Sequence, residues 1–146
     1  STQAKTLFPY TTLFRSIDNL CTGFLMTISK TILVVDDNGI NRLLPGLILR
    51  PFGWQVYESE SGLNAIEQLR EHQIACVLLD ISMPDISGLD VVTELRKHPE
   101  FQALKIVAYT AYATQADVSH LKSIGFDAVL IKPLTSRELL DVLNAC

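Results

Sequence analysis

The stretch Cys76–Asp90, CVLLDISMPDISGLD, determines which kind of fold this chain can adopt. Four apolar residues run directly into Asp80, and a Met-Pro turn follows before a Ser-Gly pair. A short continuous apolar run bounded by turn residues is typical of a strand that is buried on both faces of a sheet. Asp80 therefore stands where a buried strand leaves the core, either as a solvent contact or as a placed functional group.

Four other runs share the length and composition of this strand, with many β-branched, leucine and aromatic residues. They are Thr31–Asp36, Trp54–Ser59, Leu104–Tyr109 and Asp127–Ile131, beside Ala75–Asp80 itself. Between the runs, apolar residues recur at helical spacing, as at Leu89, Val92 and Leu95. The alternation predicts an α/β fold with five parallel strands and helices on both faces of the sheet.

Three of the predicted helices begin with a serine or threonine that is followed three residues later by an acid. The pairs are Ser87 with Asp90, Thr114 with Asp117, and Thr135 with Glu138. This spacing is typical of a capping box, in which both side chains satisfy backbone N–H groups. We therefore assign these three acids to helix capping rather than to catalysis.

Composition narrows the class of protein. The chain has 146 residues, of which 48% are hydrophobic and 19% are charged, and this balance fits one globular domain. A net charge of −4 without a Lys/Arg run gives no reason to expect a nucleic-acid partner. Cys21, Cys76 and Cys146 show no paired spacing, which favours a reducing, cytoplasmic setting. No apolar segment approaches the roughly 18 residues of a membrane span, so we expect a soluble protein.

The first thirty residues differ in character from the rest. Thr6–Ser16, TLFPYTTLFRS, resembles the conceptual translation of a sequencing-library adapter. The apolar patch Leu20–Ile28 is a poor signal peptide, because polar residues and a glycine interrupt it and no convincing cleavage site follows. We expect residues 1–25 to be a non-native or disordered extension, with the natural chain starting near Met26.

Polar residues follow four of the five predicted strands. Asp36 and Asp37 come at the end of the first, Asp80 ends the third, Thr110 follows the fourth, and Lys132 follows the fifth. In open α/β sheets, ligands bind outside the carboxyl ends of the strands. We therefore expect these side chains to form one cluster at that edge.

The charges of this cluster indicate its chemistry. Carboxylates about 5 Å apart repel by about 3 kcal/mol per pair at an effective dielectric near 20. Either one carboxylate keeps a proton, or a divalent cation lies among them. Oxygen ligands suit Mg²⁺ better than Zn²⁺, and no His or Cys lies at ligand spacing. Beside a lysine and a threonine hydroxyl, such a site favours phosphoryl transfer through an aspartyl phosphate.

Four motifs in this order resemble the receiver (CheY-like) domain of two-component response regulators. They are ILVVDDN at 32–38, LLDISMP at 78–84, IVAYTA at 106–111 and VLIKP at 129–133. The motifs are most similar to those of hybrid kinases and single-domain regulators, over about residues 30–146. The resemblance implies a flavodoxin-like, doubly wound sheet with strand order 2-1-3-4-5.

The resemblance also implies a metal site. Asp80 would be the phosphoacceptor and, with Asp36 and Asp37, would bind Mg²⁺. Ser82 would contribute its backbone carbonyl to the same ion.

Two further residues would act on the phosphoryl group by the same resemblance. Thr110 would donate a hydrogen bond to it and carry the switch, while Lys132 would pair with it as a fixed cation. The Lys132–Pro133 peptide bond would be cis. The family often has an aromatic residue three positions before this lysine, and here Val129 stands there, so an aromatic switch is not expected. Pro45 and the following glycine, within the first predicted helix, are expected to kink it.

Partners follow from the resemblance as well. The phosphoryl group would come from a phosphohistidine of a histidine kinase or histidine phosphotransfer protein. The domain would be a signalling phosphoacceptor that promotes its own phosphorylation and dephosphorylation, rather than an enzyme. The fourth strand, the helix at 114–123 and the fifth strand would form a partner surface or a phosphorylation-dependent dimer. The chain ends soon after its last helix, which fits a stand-alone regulator or phosphorelay shuttle and equally a fragment of a hybrid kinase.

Two other functions are consistent with parts of this pattern. A pseudo-receiver would bind a protein partner without taking phosphate, but such modules usually lack an acid-pocket residue and here all are present. A phosphatase with an aspartate nucleophile would need a second acid two residues after Asp80, where this chain has Ser82.

Overall fold

The computed structural model describes residues 30–144 and places strands and helices there in strict alternation. The strands are β1 (Thr31–Val35), β2 (Gln55–Ser59), β3 (Cys76–Asp80), β4 (Lys105–Thr110) and β5 (Ala128–Ile131). The α-helices are α1 (Gly39–Leu49), α2 (Gly62–Glu71), α3 (Gly88–Arg96), α4 (Gln115–Ile124) and α5 (Ser136–Asn144). All five predicted strands are confirmed to within one residue at each end. The extension predicted for residues 1–25 lies outside the described residues.

The five strands form one parallel sheet in the order β2-β1-β3-β4-β5, as expected. β3 is the central strand, and all five of its residues are buried. Leu78 pairs with Val34 on one side and with Val107 on the other. A strand covered on both faces and paired on both edges has no solvent-facing position, which explains its continuous apolar run.

Alternate side chains of each strand supply the two faces of the sheet. Leu33, Val77 and Ile106 belong to a core covered by α2, α3 and α4. Ile32 and Leu78 belong to a second core covered by α1 and α5. The sheet is thus the middle of three layers, and its edge strand β2 also has exposed positions.

Two of the three predicted capping boxes are confirmed in full. Thr114 and Asp117 form a complete capping box, and Thr135 exchanges the same bonds with Glu138. At α3 only the serine half forms: the Asp90 N–H donates to the Ser87 hydroxyl, but within the described residues the Asp90 carboxylate makes no return bond to the Ser87 N–H. The caps of α1 and α2 are Asn38 and Ser61, which have no acid three residues later.

Helix α1 runs from Gly39 to Leu49 across Pro45 and Gly46, both of which are buried. The helical span is therefore unbroken at the proline, although an interior proline removes one backbone donor. Within residues 30–144, no helix is both long enough and apolar enough to cross a membrane.

Candidate functional site

The sheet register brings the ends of β1 and β3 together. Val35 pairs with Leu79, so Asp36 and Asp80, the next residues along each strand, are neighbours. Lys132 follows β5, and its backbone N–H donates to the carbonyl oxygen of Thr110 at 2.8 Å. The predicted polar edge therefore forms at the carboxyl ends of the strands.

Three carboxylates meet at this edge. One oxygen each of Asp36, Asp37 and Asp80 lies within 4.8 Å of the other two. Asp36 and Asp80 are buried, whereas Asp37 is exposed. The cluster, called the acid pocket below, therefore extends from the sheet core to solvent.

One ammonium group faces the acid pocket. The Lys132 Nζ lies 2.7 Å from Asp36 Oδ2 and 3.4 Å from Asp80 Oδ1. It also lies 4.9 Å from the ring centroid of Tyr109, which is a cation–π contact. Three carboxylates against one ammonium leave two negative charges without a partner when all four groups are ionised.

The local electrostatics shift the pKa values of Asp80 and Lys132. Burial raises the pKa of Asp80 and the charge of Asp36 raises it further, while Lys132 and the Ser82 N–H lower it; the net shift is upward. Burial lowers the pKa of Lys132, but its contacts with Asp36 and Asp80 raise it more, so the net shift is again upward. The lysine therefore remains a cation at neutral pH.

Several carboxylate lone pairs of the acid pocket remain available. Asp36 Oδ1 accepts the N–H of Asn38 at 2.9 Å. The fully enclosed Oδ2 of the same residue lies 2.7 Å from the Lys132 ammonium. Asp80 Oδ1 accepts the Ser82 N–H at 3.2 Å. Each carboxylate oxygen can accept more than one bond, so the acid pocket keeps lone pairs for a ligand.

Gly88 holds the backbone behind Asp80 in place. Its N–H donates to the carbonyl oxygen of Ile81 at 2.9 Å. A Cβ at position 88 would collide with the Asp80 carbonyl oxygen and lie 2.9 Å from the Cα of Ile81. Only glycine lets the first turn of α3 approach the loop after Asp80 this closely.

Thr110 ends β4 at the same edge, but its hydroxyl is turned toward the following loop. The hydroxyl donates to the Tyr112 carbonyl oxygen at 3.2 Å, and the Tyr112 N–H lies 3.4 Å from it. Within the described residues these backbone atoms are its hydrogen-bond partners. Its contact with a phosphoryl group therefore stays a prediction.

Two residues that support the acid pocket were not identified from the sequence. Arg42 donates from Nη1 to the Asp36 carbonyl oxygen at 2.7 Å and from Nε to Glu58 at 3.3 Å. Asp85, in the turn before α3, accepts N–H groups from the start of α2. These bonds join residues that lie 6 to 23 positions apart, and no local pattern reports them.

The sequence profile of one family, described as "Response regulator receiver domain", matches residues 32–144. This match covers more than half of the chain. The chain belongs to the response regulator receiver family.

Known proteins agree with this membership. The receiver is 28% identical over 117 residues to the polar-differentiation response regulator DivK of Brucella ovis, covering 80% of this chain and 95% of the relative. The receiver domain of the sensor histidine kinase PA1611 from Pseudomonas aeruginosa, described with magnesium in its active-site cleft, superposes with a TM-score of 0.72 at 27% identity. That match covers 80% of this chain and 96% of the solved one. The chemotaxis protein CheY4 of Vibrio cholerae shares the fold, with a TM-score of 0.75 at 22% identity over 80% and 98% of the two chains.

The donor set of this receiver fits Mg²⁺. Asp36, Asp37 and Asp80 offer only oxygen, and within residues 30–144 no imidazole or thiolate joins the cluster. Hard oxygen ligands with room for water are the preferred surroundings of this ion. The excess of negative charge in the acid pocket agrees with a divalent cation.

Two further expectations concern β5 and the residues that follow it. The Lys132–Pro133 peptide bond is cis, as the resemblance implies. Val129, at the position where the family often has an aromatic residue, is half-buried and packs against the core under α2, α3 and α4.

Proposed function

We propose that this receiver domain accepts a phosphoryl group on Asp80 from a phosphohistidine, in a reaction that requires Mg²⁺. The observation that supports the proposal is the acid pocket with Lys132 in contact with two of its members. Asp80 is only 5% exposed, so a donor must bring its reacting phosphorus to the edge of the sheet. The natural setting for such a donor is the cytoplasm.

The two oxygens of Asp80 differ in their contacts. Within residues 30–144, the ion pair with Lys132 and the hydrogen bond from Ser82 both fall on Oδ1. Oδ2 is therefore the oxygen available for attack. A new Oδ2–P bond forms as the P–N bond of the phosphohistidine breaks, and the imidazole nitrogen leaves with the electron pair and later takes a proton.

The other residues of the acid pocket have distinct parts in this proposal. Asp36, Asp37, Asp80 and the Ser82 carbonyl would hold Mg²⁺, which when bound neutralises charge on the phosphoryl oxygens. Lys132 is held by Asp36 and stabilises the charge that accumulates during transfer. Such a site also promotes attack by water on the aspartyl phosphate, so the domain catalyses its own phosphorylation and dephosphorylation.

Thr110 would transmit the signal in this receiver. A phosphoryl group on Asp80 adds roughly 1.5 to 2 negative charges at the end of β3. We expect the Thr110 hydroxyl to leave the Tyr112 carbonyl and donate to a phosphoryl oxygen, which moves the loop before α4. With Val129 in the usual aromatic position, the signal depends on this loop rather than on a rotating ring.

The chemistry can be tested with a small phosphodonor. Acetyl phosphate and Mg²⁺ are added to the chain, and the intact mass is measured for wild type, Asp80→Asn and the control Asp90→Asn, an exposed acid of α3. We expect one phosphoryl adduct in wild type and in the control, and none in Asp80→Asn or without Mg²⁺. No adduct on folded wild type would support the pseudo-receiver alternative instead.

The surface beside the acid pocket favours a helical donor. Ile40, Leu43 and Leu47 are 76%, 49% and 60% exposed, and their spacing puts them on one face of α1. With Lys132 and Pro133 they line a groove of about 490 Å³. The groove and the acid pocket share Lys132, whose ammonium contacts Asp36 and Asp80. An apolar groove beside this lysine fits the apolar face of a helix that carries the phosphohistidine. The surface of β4, α4 and β5 stays our prediction for a downstream partner or dimer.

If the groove is a docking site, changes in it should slow phosphorylation by a histidine kinase but not phosphorylation by acetyl phosphate. Leu43→Ser with Leu47→Ser should slow transfer from a phosphorylated histidine kinase that phosphorylates wild type, by about tenfold or more. Acetyl phosphate should phosphorylate the variant at the wild-type rate. A matched change on the other face, Lys122→Ser, should affect neither donor. Equal slowing by the double change on α1 and by Lys122→Ser would show that the groove on α1 is not the docking site.

A further inference from the structure

The loop between Asp80 and α3 is attached to a helix that takes no part in the acid pocket. Asp85, in the middle of this loop, accepts the Leu63 N–H on Oδ2 at 3.2 Å and the Gly62 N–H on Oδ1 at 3.4 Å. These two donors are the first residues of α2. Both carboxylate oxygens of Asp85 thus bind the amino end of a helix that lies more than 20 residues earlier.

Close packing accompanies these hydrogen bonds. A Cβ at Gly62 would collide with the Ile86 side chain and with Val91. Gly62 is buried, although it begins a surface helix. The first turn of α2 therefore rests directly on the loop next to Asp85, so the contact is a packed junction rather than a single polar bond.

The other side of the loop forms the acid pocket. The Ser82 N–H donates to Asp80 Oδ1, and the Gly88 N–H closes the loop on the Ile81 carbonyl oxygen. Asp85 lies three residues after Ser82. A change at the α2 junction therefore reaches the backbone that contacts the phosphoacceptor.

Asp85 is ionised at neutral pH. Burial is the largest single cause and raises its pKa, but the backbone N–H groups of Ile86, Leu63 and Gly62 together lower it more, so the net pKa lies below the ordinary value. A carboxylate at the amino end of a helix is also stabilised by the helix dipole.

We propose that Asp85 is a positioning residue, which fixes the Ile81–Ser87 loop on α2 so that Ser82 presents its backbone to Asp80 and to Mg²⁺. This inference rests on the proposed function. A loop held in its binding geometry loses no affinity to competing conformations, whereas a loosened loop binds through only part of its population. Asp85 itself touches neither the phosphoryl group nor the ion.

The test compares Asp85→Ala and Asp85→Asn with the control Glu67→Ala, which removes an exposed acid from α2, the helix that Asp85 contacts. Mg²⁺ binding is measured by calorimetry at low and high salt, and the phosphorylation rate with acetyl phosphate is measured against Mg²⁺ concentration. Loss of a carboxylate at a helix start corresponds to about three- to tenfold in an equilibrium constant, and we expect Asp85→Ala to weaken Mg²⁺ binding by this factor. The Mg²⁺ affinity of Asp85→Asn, which keeps one acceptor, should lie between those of wild type and Asp85→Ala.

Two controls distinguish a positioning role of Asp85 from a charge effect and from a loss of stability: Mg²⁺ binding at high salt, and the phosphorylation rate at saturating Mg²⁺. If Asp85 acts by position, the weaker Mg²⁺ binding persists at high salt, and the phosphorylation rate returns to near the wild-type value once Mg²⁺ saturates. Mg²⁺ affinity equal to that of Glu67→Ala, or a difference that disappears in salt, would overturn the proposal. Should Asp85→Ala fail to fold by circular dichroism, the same criteria apply to Asp85→Asn. Failure of wild type to take a phosphoryl group would instead contradict the proposed function, while the Mg²⁺ titrations would still test Asp85.

Discussion

The two ends of the sheet each hold a cluster of charges, and the clusters are built in opposite ways. At the amino ends of β4 and β5, the Arg96 guanidinium donates to the carbonyl oxygens of Phe101, Leu104 and Gly125 and to Asp127 Oδ2, at 2.8 to 3.0 Å. One cation there meets several acceptors. At the carboxyl ends, the acid pocket gathers three carboxylates around one ammonium group.

This difference separates a charge that stabilises the fold from charges that are kept for binding. Hydrogen bonds to a charged group contribute about 1.5 to 3 kcal/mol each when both partners are satisfied. The Arg96 cluster is of that kind and ties the end of α3 to two loops. In the acid pocket, by contrast, three carboxylates lie within 4.8 Å of one another and share one ammonium group among the described residues, so like charges face one another. Functional sites commonly reduce stability in this way.

The largest effect on stability should come from the satisfied cluster. Arg96→Ala leaves several carbonyl oxygens without their donor, and we expect the free energy of unfolding to fall by about 3 kcal/mol. Arg96→Lys should recover little, because an ammonium cannot supply the planar set of donors. Urea unfolding measures both, with the exposed Arg70→Ala as control, expected within about 0.5 kcal/mol of wild type. A similar loss for Arg70→Ala would show that any missing cation has this effect.

The next effect concerns the backbone behind the acid pocket. Gly88→Ala forces a methyl group against the Asp80 carbonyl oxygen, and we expect a loss of about 2 kcal/mol in stability. Gly39→Ala is the matched change, since Gly39 also begins a helix but has its nearest neighbour, the Arg42 side chain, at 3.5 Å. Urea unfolding should show no loss for Gly39→Ala. Equal stability of the two variants would mean that the close approach at Gly88 is not required.

A smaller effect of opposite sign should come from the acid pocket. In metal-free buffer at pH 7, Asp80→Asn should raise the free energy of unfolding by about 1 kcal/mol, because it removes a buried like charge. The pKa of Asp80 is raised in the folded chain above its ordinary value of 3.8. As the pH falls, the folded wild type therefore takes up this proton before the unfolded chain does, and proton uptake favours the folded state. Wild type therefore regains stability as the pH falls, and the advantage of the variant shrinks. An advantage that grows toward pH 4 would contradict the raised pKa.

The sequence allows the sheet and the residues at its carboxyl edge to be predicted, but not the side chains that hold those residues in place. Strand positions follow from the apolar runs, and parallel strands bring Asp36, Asp80 and Lys132 to one edge whatever the details of packing. Arg42 and Asp85 could not be predicted, because they bind backbone groups whose neighbours depend on how helices rest on loops. Their positions carry no local signal such as the serine or threonine before a capping acid.

The most direct test of the account measures stability with and without Mg²⁺ for wild type and Asp37→Asn. Asp37 is an exposed member of the acid pocket, so its loss should not disturb the core. Without Mg²⁺, the variant should be as stable as wild type or slightly more so. With Mg²⁺ at about one hundred times its dissociation constant, wild type should gain about 2.7 kcal/mol and the variant much less, so that the order reverses. Equal gains in both chains, or none in either, would contradict the claim that the pocket is left under-neutralised to bind a divalent cation.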